Sequence, residues 1–168
     1  MENENVIRLL EKKKTGKWEI TEDKVNSFGN AGVWAMYGRN QPDSEWQLLE
    51  VAETKNIRDE IVADTNIICD YENFNAKNDK KFYKFRKWSA EFTGRGLIKR
   101  YYAKHYHIGS QYKYIKMELV IEEDSIDERY KAEVEIAMTK KALYWYPAPV
   151  NKKRSKISQW AEVKKYEE

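Results

Sequence analysis

The chain has 168 residues, of which 41% are hydrophobic, 14% aromatic and 35% charged, with a formal net charge of +3. That length builds one ordinary domain with a real core. No apolar run reaches the length of a membrane span, and a single cysteine, Cys69, excludes an internal disulfide and a cysteine-rich zinc site. The N-terminal "MENENVIRLLEKKK" has no hydrophobic signal core, so the sequence predicts a cytoplasmic protein.

Val6, Ile7, Leu9 and Leu10 stand at helical spacing, and the sequence predicts a helix over 4–13 that Thr15-Gly16 ends. The stretch to Gly32 is polar with scattered apolar anchors, so residues 1–30 read as a helical extension. In "GVWAMYG", Val33, Ala35 and Tyr37 alternate with Trp34 and Met36, which predicts a strand buried on both sides. Pro42 and Asp43-Ser44 make "RNQPDSE" a turn, and "EWQLLEVAE" completes a hairpin. Thr54 or Asn56 caps a helix from Ile57. Phe82, Phe85 and Trp88 suggest a further helix, and "LIKRYYAKHYH" another that Gly109 stops. "YKYIKMELVIEE" alternates as a strand over 114–121. "DSIDERYKAEVEIAMTKKALYWY" reads as a helix over 127–145, started by Ser125 or Asp127, with acids in its first turns and Pro147 after it. Residues 152–168 form a short tail. One α+β domain over 1–168, with a small central three-stranded antiparallel sheet flanked by helices, accounts for this order.

Charge is unevenly distributed. Between Lys80 and Lys116 stand eleven Lys or Arg against one acid, Glu91, a net of +10; the other 20 basic and 27 acidic residues net −7. Such segregation predicts a positive face for a polyanion. Aromatics are interleaved with the cations, so Lys84, Arg86, Lys87, Trp88, Arg95, Lys99, Arg100 and Lys104 are the candidate nucleic-acid contacts. A solvated basic surface is the bland alternative. His105 and His107 alternate in "KHYH" without an identifiable third metal ligand, and read as phosphate contacts or polar packing. The chain has no Gly-rich phosphate loop and no Ser-His-Asp arrangement.

The order hairpin, helix, basic stretch, strand and acid-bearing helix ending in "PAPVN" resembles the GIY-YIG nuclease family over roughly residues 31–151. Gly32-Val33-Trp34 is similar to the first tripeptide, with Trp in place of Tyr. Glu50-Val51-Ala52 falls where the second stands, with Glu and Ala in place of Tyr and Gly. "VIEE", "EIAM" and Asn151 resemble the third strand, the metal-bearing helix and the Asn after it. The resemblance implies a Tyr near the attacking water, one carboxylate holding one Mg²⁺ or Mn²⁺, and an Arg over the phosphate. On these positions Glu135 is the metal ligand, with Glu133 next to consider, and Tyr37 the replacement hydroxyl. Arg58, Arg39 or a basic residue from 80–104 supplies charge, because Glu60 occupies the place of the family's Arg. The bland readings are a solvated Glu135, core roles for Trp34 and Tyr37, and a surface cation at Arg58.

Three functions follow as expectations. The first is a nucleic-acid-binding protein, its partner DNA, on a nuclease scaffold whose chemistry is reduced or lost. The second is an active, divergent Mg²⁺-dependent endonuclease. The third is a non-catalytic protein-interaction module whose acidic and basic faces meet a partner or a second copy. Sequence does not set the oligomeric state.

Overall fold

The computed structural model describes residues 3–73 and 104–145. The chain divides into two compact units, residues 1–63 with 112–145 and residues 64–111 with 146–168. The first unit holds the strands β1 (Val6–Lys12), β2 (Trp18–Asp23), β3 (Gly32–Arg39), β4 (Gln47–Thr54) and β5 (Tyr114–Glu122). Helix α1 (Ile57–Cys69) begins in this unit, α2 is the helical stretch 104–111 of the second, and α3 (Ile126–Thr139) belongs to the first.

The strands form one antiparallel sheet in the order β2-β1-β5-β3-β4. The three strands expected from the sequence lie together as β4-β3-β5, with α3 against them. The α+β class holds, but the sheet has five strands rather than three. The added pair comes from the segment expected to be helical. Val6, Ile7 and Leu10 fit a helix stripe as readily as a buried strand, since short apolar runs do not separate the two periods. Tertiary pairing decides: β1 lies between β2 and β5, and Ile7 and Leu10 are buried. Gly16 closes the hairpin instead of ending a helix. Its φ of 90° lies in the left-handed region open to glycine, where its N–H donates to the Lys13 carbonyl.

At the outer pair, Arg8 is buried and its guanidinium donates twice to Asp23, at 3.2 and 3.0 Å. Burial would raise the Asp23 carboxyl. The hydrogen bonds from Arg8 and the Val25 N–H, with the Arg8 charge, outweigh it and hold the group below its ordinary value.

Side chains alternate along β3. Trp34 and Met36 take one face, where Trp34 Nε1 donates to Glu60 Oε1 of α1 at 3.1 Å. Ala35, Tyr37 and Arg39 take the other, where Lys140 after α3 donates to the Tyr37 hydroxyl at 3.3 Å. Helices on both faces explain why Val33, Trp34, Ala35 and Met36 are all 0% exposed, as the two-sided apolar pattern predicts.

The first N–H groups of α1 are all satisfied. Ile57 donates to the Asn30 carbonyl, Arg58 to that of Phe28, and Glu60 to that of Asn56. Asp59 donates to Asn56 Oδ1, so Asn56 is the cap and Thr54 supports it from behind. Helix α3 is capped by Ser125, whose hydroxyl accepts from the Glu128 N–H.

Helix α3 ends at Thr139, short of the expected 145. Lys141 sits at φ 54°, and the Ala142 N–H returns to the Ala137 carbonyl at 2.9 Å. This closure places a left-handed residue after the helix and joins two buried alanines across it. The chain then runs beside β4, with Leu143 and Tyr144 donating to the carbonyls of Leu48 and Leu49. Lys141→Gly should raise stability by about 1 kcal/mol, since a lysine pays for the left-handed conformation and a glycine does not. Urea unfolding with a higher midpoint and unchanged slope would show it; a lower midpoint would refute it.

In the second unit, α2 passes through Gly109 instead of stopping there. A Cβ at Gly109 would meet the Ile68 carbonyl oxygen and, at 2.9 Å, Tyr71 Cβ. The glycine therefore serves close packing on the end of α1 and the turn after it. The predicted helix near 82–88, residues 97–103, Pro147 and the tail at 152–168 lie outside the described residues. Among the described residues, no helix is long and apolar enough to cross a membrane.

Candidate functional site

The hairpin register builds a site in the first unit. Tyr37 of β3 lies opposite Lys116 of β5, and Arg39 opposite Tyr114, so these four share the α3 face. The turn between β3 and β4 brings Trp46 back beside them. The Arg39 guanidinium carbon lies 4.0 Å from the Trp46 ring centre and 5.8 Å from that of Tyr114. Arg39 Nη1 donates to the Ser44 carbonyl at 3.1 Å, which fixes the plane of the group. Lys116 Nζ is 5.0 Å from the ring centres of both Tyr37 and Trp46. Lys140 Nζ stands 5.8 Å from the Tyr37 ring while bonding its hydroxyl.

Three cations and three aromatic rings thus meet at one end of one sheet face. Lys116 is paired with Glu118 at 3.0 Å. Arg39 and Lys140 have no carboxylate partner among the described residues. Cation–π contacts hold them without cancelling their charge. A site of this kind attracts phosphate electrostatically and offers planar groups for bases.

Two acids stand on or against the other face of the sheet. Glu50, opposite Met36, is 2% exposed, and Glu60 accepts from Trp34. Arg58 lies on α1 with its side chain paired to Asp59 at 3.2 Å and close to Gly29. Tyr37 lies on the α3 face. Glu135 is exposed on α3, and Glu133 accepts from Trp145 Nε1 at 3.2 Å. The structure therefore does not gather Tyr37, Arg58 and Glu135: the Tyr and the Arg belong to opposite sides of the sheet. Among the described residues, Glu135 belongs to no group of metal-ligating side chains, and an exposed carboxylate of this kind does not fit a built metal site.

The second unit holds a buried polar pair. His105 Nε2 of α2 and Asp64 Oδ2 of α1 lie 3.1 Å apart, with side chains 0% and 2% exposed. Thr65 is buried beside Asp64 in sequence, and Lys104, a candidate phosphate contact, is only 9% exposed. Tyr71 has its hydroxyl pushed up, first by burial and then by the Glu72 charge. Glu50 of the first unit, and Asp64 and His105 of the second, are buried residues of the types that could hold a metal ion. Nothing among them identifies a metal.

Lys84, Arg86, Lys87, Trp88, Arg95, Lys99 and Arg100 lie outside the described residues. Sequence reasoning named Arg39 and Tyr37 but missed Trp46, Lys116 and Lys140 as their companions. Strand alternation outward from the Pro42 turn carried the signal for the first two. It missed Asp64 as well, although Ile57, Ile61, Asp64 and Ile68 follow one helical stripe in which Asp64 is the only polar member. Compared with protein-family models, curated proteins and solved structures, the chain matches none.

Proposed function

We propose that the protein binds nucleic acid on the α3 face of its sheet and does not hydrolyse it. One observation carries this reading: Arg39 and Lys140 are held on aromatic rings, with no carboxylate to neutralise them among the described residues. The charge excess of residues 80–116 supports the same partner class, and Lys116 belongs to both features. Cleavage is not part of the proposal, because Tyr37 and Arg58 occupy opposite sides of the sheet and Glu60 stands where the resemblance calls for an Arg. Mg²⁺ or Mn²⁺, the ions the resemblance implies, have no role in this binding. The contacts are cations, and a divalent ion competes with them for phosphate.

Fluorescence anisotropy with a labelled DNA oligonucleotide tests this. Affinity should fall steeply with salt and be unchanged by EDTA. In Arg39→Gln/Lys140→Gln, the slope of log affinity against log salt should shrink by roughly 1–2, one phosphate contact for each lost cation. Supercoiled DNA should stay intact with Mg²⁺ or Mn²⁺. Binding that ignores salt, or a double variant with the wild-type slope, would remove the assignment. Nicking that vanishes in Glu135→Ala would favour the endonuclease instead.

A further inference from the structure

We infer that the cation–aromatic cluster takes single-stranded nucleic acid in preference to duplex, with Trp46 as the residue that stacks an unpaired base. This inference rests on the nucleic-acid reading above and adds the substrate class. Duplex binding through phosphates needs charge but not rings. Here each of the three cations is placed on an aromatic group, within 4.0 to 5.8 Å of a ring centre. Bases in a duplex are already stacked on one another and keep their faces hidden. Bases in a single strand present those faces to aromatic rings and to guanidinium planes.

Trp46 is the best placed of the rings. It immediately precedes β4 at the foot of the hairpin, and it is only half-buried. Both Arg39 and Lys116 lie against it. A base here stacks on the Trp46 ring or on the Arg39 guanidinium that lies 4.0 Å over it, with both cations beside its flanking phosphates. Arg39 is already oriented through Ser44, so little side-chain freedom remains to be lost on binding. Arg39 Nε makes no hydrogen bond among the described residues.

The alternative is that the rings only prop up the cations. Three labelled probes separate the two: an oligothymidylate strand, a duplex of equal length, and an abasic strand of equal phosphate number. At one low salt concentration, the full-length protein should bind oligothymidylate more tightly than either of the others. Trp46→Ala should lose roughly 5- to 150-fold on oligothymidylate, the range of one base–aromatic stack. It should lose much less on the abasic strand, and Trp46→Phe should keep most of the affinity. If Trp46→Ala fails to fold by circular dichroism, the abasic comparison on the wild type still decides. Equal affinity for abasic and oligothymidylate strands, or tighter binding of duplex, would overturn stacking while leaving nucleic-acid binding intact. No binding to any probe would overturn both.

Discussion

Arg129→Met should destabilise the protein by about 2–4 kcal/mol, since it breaks an ion pair buried on the arginine side together with two further charged hydrogen bonds. Arg129 is 3% exposed, on the first turn of α3. Its Nε donates to Glu53 Oε2 at 2.9 Å, and Nη1 donates to the carbonyls of Glu123 and Asp124 at 3.1 and 2.7 Å. One guanidinium thus ties α3 to β4 and satisfies the backbone that links β5 to α3. Methionine fills much of the same space but returns none of these bonds. Glu53, whose side chain is 17% exposed, would lose that cation, and two carbonyls would lose their donor. The double variant Arg129→Met/Glu53→Leu should recover part of the loss, because replacing both partners removes the stranded charge. Urea unfolding followed by circular dichroism measures both. A single variant within about 0.5 kcal/mol of wild type, the scale of an ordinary surface change, would show that the pair is not buried in solution.

The parts of the fold legible in the sequence were those where one period had no rival. Residues 33–38 alternate with bulky groups on both faces, and Pro42 cannot continue a strand, so β3 and β4 followed. In 114–121, Ile115 and Met117 are buried with Lys116 between them, and β5 is equally clear. β1 was not, because Val6, Ile7, Leu9 and Leu10 match a helix as well as a strand. β2 was hidden for another reason. It is the outer strand, and Glu19, Ile20 and Thr21 are exposed, so little hydrophobic alternation marks it.

The candidate site was legible only in pieces. Arg39 and Tyr37 share a face by simple alternation, and that much could be read. Trp46 and Lys140 arrive there through a turn and a helix end, which no local pattern encodes. Motif spacing in the nuclease resemblance points to Glu135 and to Glu60, with Arg58 two residues before the place of the family's Arg. The residues that converge were set instead by strand register, through Tyr37 opposite Lys116 and Arg39 opposite Tyr114.

His105→Ala should cost about 3 kcal/mol or more in the second unit. His105 is fully buried, and its Nε2 lies 3.1 Å from Asp64 Oδ2, itself in a side chain only 2% exposed. Ile67, Ile68 and Ile108 are buried in the same unit. Alanine removes the imidazole, opens a cavity of its size and takes a partner from a carboxyl group that water does not reach. Asp64→Asn should cost less, because an amide keeps an acceptor for the ring nitrogen and carries no charge to strand. A protein that used this pair only as solvated surface would show neither effect. The measurement is amide hydrogen exchange resolved along α1 and α2. Protection should fall at Ile67, Ile68 and Ile108 in His105→Ala, and fall less in Asp64→Asn. Unchanged protection in His105→Ala would refute the pair as a structural tie. A larger loss in Asp64→Asn than in His105→Ala would show that the carboxylate charge itself, rather than the hydrogen bond, stabilises this core.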